Sequence, residues 1–363
     1  MEIDIIQFLA MTVERGGSDL HLCAGSQAMV RINGVLVPLS EIVLDADTCR
    51  DLIYSIFTES QRARFEETLE LDFALNVANL GRFRANAHYS RGVVEATFRH
   101  IRDQIPSIDT LGLPPVVKRL CTLEQGLVIV TGVTGSGKTT TLAAMVEEIN
   151  ASRSGVIISI EDPIEYIFNH NLCRVKQREI GTDTKSFPAA LRHVLRQDPD
   201  VILISEMRDL ETISAAITAA ETGHLVLATL HTIDAPKAID RIVDAFPPEQ
   251  QGQIIAQLGN ALQAIVAQRL LPRADGTGRA LCAEVMIMND GVRSCLRDRR
   301  FQQILSMIEI GGKDGMMTFD ESVSNLYTAG VITVDEALMN ARDPSRIHSI
   351  KPPAPPKKKG LFG

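Results

Sequence analysis

Eight consecutive residues near the middle of the chain have the types and spacing needed to hold the phosphates of a nucleotide. Gly132–Thr139 reads Gly-Val-Thr-Gly-Ser-Gly-Lys-Thr and fits the pattern G-x-x-x-x-G-K-[S/T] at every position. The glycines let backbone N–H groups turn towards a phosphate, because a Cβ there would block the approach. Lys138 would neutralise the β- and γ-phosphates, and the Thr139 hydroxyl would bind Mg²⁺. The residues expected to contact ATP are Gly132, Thr134, Gly135, Ser136, Gly137, Lys138, Thr139 and Thr140.

The flanking sequence favours this interpretation of the loop. An apolar run at Leu127–Val130 predicts a buried strand before it, and Leu142, Val146 and Ile149 recur at helical spacing after it. A helix that begins at the loop presents its N-terminus, and hence a partial positive charge, to a bound anion.

Three more apolar runs, at 156–160, 201–204 and 225–230, alternate with helical patterns and predict a parallel α/β sheet. Ligands of open α/β sheets bind beyond the carboxyl ends of the strands. Glu206 follows the run at 201–204 and is the expected Walker B acid, which would order the Mg²⁺ shell or polarise the attacking water. The alternative is that Glu206 caps the next helix, near Asp209.

Acidic and histidine side chains follow the other two runs. Glu161, Asp162 and Glu165 could place a carboxylate near the γ-phosphate, or they could be ordinary loop acids. His231, at the carboxyl end of its strand, is expected to sense the γ-phosphate rather than to be only structural. His224 lies at the opposite end of that strand, and its role stays open.

Arginines are numerous around this core, and phosphoryl transfer needs positive charge as the transition state forms. The candidates are Arg178, Arg192, Arg196 and Arg208, and spacing does not decide between them. Further towards the N-terminus, Gly81–Tyr89 alternates so that Arg82 and Arg84 share one strand face, which is either solvated or turned to a neighbouring subunit.

With 363 residues the chain is too long for one ordinary core, so two or more domains are expected. Near the N-terminus, apolar residues at helical spacing predict a helix that ends at Gly16. Asn33-Gly34, between two apolar segments, predicts a hairpin. The helix and the hairpin together indicate a small α+β domain. We expect that domain over residues 1–100, a linker over 101–115, the nucleotide-binding core over 116–289, a helical region over 290–350 and a disordered Pro/Lys-rich tail over 351–363.

Composition narrows the class of protein. The net charge of −8, the pI of about 5.6 and the absence of tryptophan argue against nucleic acid as a partner. No apolar run approaches the roughly 20 residues that span a bilayer, and the acidic N-terminus does not resemble a secretory signal, so a cytoplasmic protein is expected. Six scattered cysteines without a C-x-x-C pair are expected to be reduced thiols.

Taken in chain order, these motifs resemble the secretion ATPase superfamily that powers type IV pili and type II secretion, and the likeness runs through nearly the whole chain. Within it, the pilus retraction branch is the most similar, because a longer N-terminal region and a tetracysteine zinc insert are both lacking. The motifs are Gly16–His21, Gly81–Arg84, Gly132–Thr139, Ile160–Glu165, Gln177–Glu179, Asp198–Asp209, Thr222–Leu225 and Thr229–His231.

The resemblance implies a PAS-like N-terminal domain, a RecA-like ATPase domain with a helical C-terminal region, and a homohexameric ring with ATP between subunits. It implies that Glu161 and Glu165 are acids of the Asp box, that His231 belongs to the His box, and that Arg82 or Arg84 reaches a neighbouring nucleotide. The implied partners are an inner-membrane pilus platform protein, contacted from the cytoplasm, and a paralogous pilus ATPase.

Two segments depart from the family pattern. Gly291–Asp298 keeps Arg293, Leu296 and Arg297 of a motif linked to retraction, and Ser205 stands before the Walker B acid where glycine is usual. These departures leave two roles open: a retraction motor, or an accessory retraction ATPase that needs a partner motor. A RecA-like nucleic-acid translocase and a non-hydrolysing scaffold are the alternatives from other classes.

Overall fold

The computed structural model describes residues 4–32, 34–101 and 104–349, so Asn33 of the predicted hairpin and the predicted tail over 351–363 lie outside the described residues. The chain divides into two compact units. The first comprises Met1–Gln104 with Glu165–Ile167, and the second comprises Ile105–Ile164 with Phe168–Gly363. Within the described ranges, no helix combines the length and the apolar character that crossing a bilayer requires.

In the described part of the first unit, six strands form an antiparallel sheet in the order β3-β2-β1-β6-β5-β4. The strands are β1 (Asp19–Leu22), β2 (Ser26–Ile32), β3 (Val35–Leu44), β4 (Glu70–Val77), β5 (Gly81–Ser90) and β6 (Val93–Ile101). The helices are α1 (Ile5–Glu14), α2 (Ala46–Tyr54) and α3 (Glu59–Thr68).

The alternation predicted for 81–89 builds the core of this unit. Phe83, Ala85 and Ala87 are fully buried and pack with side chains of the helices, because successive strand residues point to opposite faces. Tyr89 departs from the prediction, since 37% of it is exposed towards the end of the strand. Arg84, on the opposite face, is exposed.

In the described part of the second unit, a seven-stranded sheet has the order β13-β12-β7-β11-β10-β8-β9. Its strands are β7 (Gly126–Thr131), β8 (Gly155–Glu161), β9 (Cys173–Glu179), β10 (Val201–Ile204), β11 (Leu225–Leu230), β12 (Leu262–Pro272) and β13 (Arg279–Ile287). The helices up to β12 are α4 (Val116–Cys121), α5 (Lys138–Ser152), α6 (Phe187–Val194), α7 (Leu210–Glu221), α8 (Ala235–Asp244) and α9 (Pro248–Ala261).

The four strands predicted from apolar runs are parallel neighbours at the centre of this sheet. Thr131, at the end of β7, pairs with Leu230 of β11, and Ile204 of β10 lies between Ala228 and Ile160. Every residue of β7, β10 and β11 is buried, as expected for a sheet covered on both faces. The residues that follow these strands therefore emerge at one edge of the sheet.

The region after β13 is helical and completes the core of the second unit. It contains α10 (Asp290–Arg297), α11 (Ile304–Ile310), α12 (Phe319–Thr328), α13 (Val334–Asn340) and α14 (Pro344–His348), with short 3-10 turns at Phe301–Gln303 and Gly311–Asp314. Val292 and Ile304 join the central core, whereas Phe319 and Val323 pack with Cys282 of β13. This region is thus anchored to the sheet through apolar contacts.

Candidate active site

The predicted phosphate loop joins β7 to α5 and has a backbone that only glycine adopts readily. Gly132 and Gly137 have φ values of +153° and +90°, and Gly137 is the residue before the first turn of α5. A Cβ on Gly132 would lie 2.5 Å from the backbone oxygen of Gln268 and 2.5 Å from Ser136 Oγ. Close packing against β12 therefore requires glycine at this position, independently of any ligand.

Polar groups of the loop converge on its interior. Lys138 is only 8% exposed, and its Nζ donates to the carbonyl oxygens of Gly132 at 2.9 Å and Val133 at 3.1 Å. Among the described residues, Ser136 Oγ is buried without a hydrogen-bond partner. A buried hydroxyl without a partner is costly, and a phosphate oxygen would satisfy it. These residues fit the phosphates of a nucleotide, with the N-terminus of α5 directed at them.

Glu206 follows β10 and lies between two basic side chains. Arg208 Nη2 is 2.7 Å from Glu206 Oε2, and His231 Nε2 is 3.2 Å from Glu206 Oε1. Burial opposes ionisation of Glu206, but the hydrogen bond from Arg208 and the positive charges of Arg208 and His231 outweigh it and lower the pKa of this carboxyl below its usual range. Glu206 is therefore held as a carboxylate, the form that can accept a proton.

The turn that carries Glu206 is fixed by the neighbouring strands. Ser205 N donates to the carbonyl oxygen of Ile160 at 3.0 Å, and Met207 N donates to that of Thr229 at 3.0 Å. Asp209 supplies the N-cap of α7, because its Oδ1 accepts from Thr212 N at 2.8 Å. The alternative reading of Glu206 as the cap of the next helix is therefore wrong.

Glu161, at the end of β8, is 3% exposed, and its carboxylate accepts hydrogen bonds from neighbouring side chains. Its Oε1 accepts from Ser159 Oγ at 2.5 Å and from Gln177 Nε2 at 3.1 Å. Both donors lie on strands of the same sheet, so the carboxylate is held at the edge where β8 ends. Its predicted role in ATP hydrolysis stays a prediction.

Hydrogen bonds between Thr131 and Thr232 position His231, because they join the end of β7 to the segment that follows β11. Thr131 Oγ1 donates to the carbonyl oxygen of Thr232 at 2.8 Å and accepts from Thr232 N at 2.9 Å. Thr131 directly precedes Gly132, so these hydrogen bonds hold His231 beside the start of the phosphate loop. His224 is at the other end of β11, where its Nδ1 lies 3.0 Å from the carbonyl oxygen of Ala219.

The predicted arginines and Glu165 are distributed over both units. Arg178 Nη2 donates to the carbonyl oxygen of Asp183 at 3.0 Å, and the side chain of Arg192 is 74% exposed. Arg82, Arg84 and Glu165 belong to the first unit rather than to the unit that holds the loop. Their roles in binding nucleotide remain predictions.

Two residues at the loop were missed by the sequence analysis. Arg279 Nη1, at the start of β13, donates to the carbonyl oxygen of Gly135 at 3.3 Å. Gln268 of β12 lies under Gly132 and donates from Nε2 to Thr141 Oγ1 at 2.7 Å. Both come from strands more than a hundred residues further along the chain, and no local pattern marks them.

Gly132→Ala is expected to weaken nucleotide binding by at least about tenfold, because the added Cβ must displace the loop from Gln268. Titration with a fluorescent ADP analogue measures the effect. Gly252→Ala is the matched control, since a Cβ there meets nothing within 4 Å. Equal affinities of the two variants would contradict the steric assignment.

Comparison with known proteins supplies the family. The family model for "Type II/IV secretion system protein" matches residues 2–311. The type IV pilus retraction ATPase PilT of Pseudomonas aeruginosa is 43% identical over 342 residues, which cover 94% of this chain and 99% of that protein. The type IV pilus ATPase PilU of the same organism is 42% identical over 335 residues, covering 92% and 88% respectively.

A solved structure is similar over the same extent. The crystal structure of the pilus retraction motor PilT with bound ADP has a TM-score of 0.89 at 44% identity, and the match covers 96% of this chain and all (100%) of that one. This likeness confirms the predicted architecture of an N-terminal α+β domain followed by a P-loop domain with a helical C-terminal region. The chain belongs to the type II/IV secretion system protein family.

Proposed function

We propose that the chain hydrolyses ATP to ADP and phosphate and uses the free energy to retract type IV pili. The observation that carries this proposal is the contact of Glu206 with His231 at the strand ends beside the phosphate loop. A carboxylate held there next to a phosphate-binding loop is suited to activating water rather than only to binding nucleotide. The family and the likeness to PilT support the retraction role.

Each residue of the site has a role in this proposal. The loop and Lys138 bind the phosphates, while Glu206 orients the attacking water and accepts its proton. His231, 3.2 Å from Glu206, holds that carboxylate in place and would sense the γ-phosphate of bound ATP. Thr139 and Glu206 are the residues that would hold Mg²⁺, the latter through water, and the ion would supply positive charge to the phosphates. Glu161 would add a further carboxylate from the end of β8, and Glu165 is retained as a candidate acid on the strength of the family resemblance.

The remaining positive charge comes from arginines in the proposed assembly. A homohexameric ring would bring Arg82 or Arg84 of one subunit to the nucleotide of the next, with Arg178 and Arg192 as further candidates. The ring would act at the cytoplasmic face of the inner membrane, on the platform protein of the pilus, with a paralogous pilus ATPase as a further partner.

A second candidate is an accessory retraction ATPase that resembles PilU. Two observations favour this accessory role as the alternative. The sequence identities to PilT and PilU are nearly equal, at 43% and 42%, and the segment Gly291–Asp298 retains only part of the retraction motif. That segment comprises most of α10 and its C-cap Asp298; Val292 and Leu296 are buried and Arg297 is exposed. A nucleic-acid translocase is the alternative from another class, and strong stimulation of ATP hydrolysis by single-stranded DNA would favour it.

Lys138→Ala is expected to reduce ATP turnover to background, because it removes the positive charge from the interior of the loop. Phosphate release measures this loss. Exposed Lys313→Ala is the control, since that residue lies on a surface turn of the helical region. Full activity of Lys138→Ala would refute the assignment of the loop.

The cellular role is tested by deleting the gene and scoring twitching motility and surface piliation. Retraction predicts cells that are non-motile and hyperpiliated, restored by the wild-type gene but not by the Lys138→Ala variant. Bald cells would contradict retraction and indicate extension. Recovery only when a paralogous ATPase is also present would identify the accessory role.

Arg208→Gln is expected to move the acidic limb of the pH profile of kcat to higher pH. Arg208 lowers the pKa of Glu206, so its removal raises that pKa, and the carboxylate that accepts the proton is lost at a higher pH. Arg62→Gln removes an arginine that pairs with Glu66 on α3 and is the control. An unchanged acidic limb in Arg208→Gln would exclude this role for the Glu206 carboxylate.

A further inference from the structure

Arg342, between α13 and α14, contacts carboxylates from two other elements. Its Nη2 is 3.3 Å from Asp234 Oδ2, at the start of α8, and its Nη1 is 3.1 Å from Glu284 Oε2, on β13. The second contact is an ion pair rather than an aligned hydrogen bond. Glu284 is fully buried, and removing one partner of a buried ion pair leaves an uncompensated charge.

The two carboxylates hold the first turn of α8. Glu284 Oε1 accepts from Ala235 N at 3.0 Å, and Asp234 Oδ1 accepts from Lys237 N at 2.9 Å. Burial raises the pKa of Glu284 above its usual range, although the charge of Arg342 and the hydrogen bond from Ala235 N oppose that rise. Arg342 lies against both carboxylates, so its positive charge is placed between the two acidic side chains at this helix terminus.

The start of α8 in turn fixes the segment that carries His231. Asp234 is three residues after His231, and Thr232 between them is bonded to Thr131 at the end of β7. The segment 231–234 is thus held at two points. The first is Thr232, which bonds Thr131 at the phosphate loop, and the second is Asp234, at the helix start that Glu284 and Arg342 contact. Release of the second point would leave the segment held by the hydrogen bonds of Thr232 and by the contact of His231 with Glu206.

Arg342 itself is held by the helical region at the end of the described chain. Its backbone N donates to Asp320 Oδ1 on α12 at 2.6 Å, and its guanidinium carbon lies 5.7 Å from the ring centre of Phe319. Asp320 is 8% exposed and Phe319 is fully buried, so both are parts of the packed core. A contiguous set of contacts therefore leads from α12 to His231.

We propose that Arg342 is a positioning residue for ATP hydrolysis, which couples the helical region α12–α14 to the segment 231–234 and thereby sets the place of His231 beside Glu206. The inference rests on the proposed function, since it concerns the same site. Arg342 contacts neither the phosphate loop nor Glu206. Its loss therefore impairs turnover and leaves nucleotide binding in place.

The test compares Arg342→Met with Arg346→Met in the full chain. Arg346 belongs to the same region but pairs with Glu309 and is half exposed, so its variant is the matched control. For Arg342→Met, kcat is expected to fall at least about tenfold, because small displacements of catalytic groups are costly. The affinity for a fluorescent ADP analogue is expected to stay within about threefold, a change of less than 1 kcal/mol. Arg346→Met is expected to match the wild type in both.

Two further variants separate positioning from folding. Arg342→Lys keeps the charge but cannot span both carboxylates as a guanidinium does, so an intermediate kcat is expected. The double variant E284Q/R342M removes the buried charge together with its partner, so it folds even where the single variant is unstable. Its kcat stays low because the contact of residue 342 with Asp234 at the start of α8 is still missing.

A wild-type kcat in folded Arg342→Met or in the double variant would overturn the inference. A loss of kcat and of ADP affinity in proportion to the unfolded fraction, measured by circular dichroism, would also overturn it. In both cases the active wild type leaves the proposed function standing. A wild-type protein that releases no phosphate from ATP would instead reject the proposed function, and with it this inference.

Discussion

Parallel pairing of β8, β10, β11 and β7 is the constraint on which the candidate active site depends. Because Thr131 pairs with Leu230 and Ile204 pairs with Ile160, the four strands deliver their next residues to one edge of the sheet. A shift in this register would separate Glu206 from His231 and the phosphate loop from both. The buried apolar residues of the strands fix the register. The same packing therefore forms the core and places the residues of the candidate active site at one edge.

Two groups of buried or half-buried carboxylates in this unit have an arginine beside them. Arg208 and His231 keep Glu206 ionised, whereas Arg342 lies against Glu284 and Asp234. The two groups are joined by the short segment 231–234. Carboxylates inside a protein need polar or charged partners, and Arg342 supplies one that connects the helical C-terminal region to the edge where ATP is proposed to be hydrolysed.

The phosphate loop and the central strands could be predicted because their determinants are local: glycine spacing, apolar runs and the residues just after them. Glu206 and His231 were found in the same way, since both follow apolar runs. Arg279 and Arg342 could not be found, because their contacts join residues 144 and 108 positions apart. In a single sequence, an arginine that contacts a distant element has the same appearance as an arginine exposed to solvent.

The central claim is that Glu206 activates water for a nucleotide held by the phosphate loop. Phosphate release by Glu206→Gln, measured beside its affinity for a fluorescent ATP analogue, tests this claim most directly. The account predicts that turnover falls by at least about a hundredfold while the nucleotide still binds. Phosphate release at the wild-type rate would contradict it and would favour a scaffold in which nucleotide binding alone has a role.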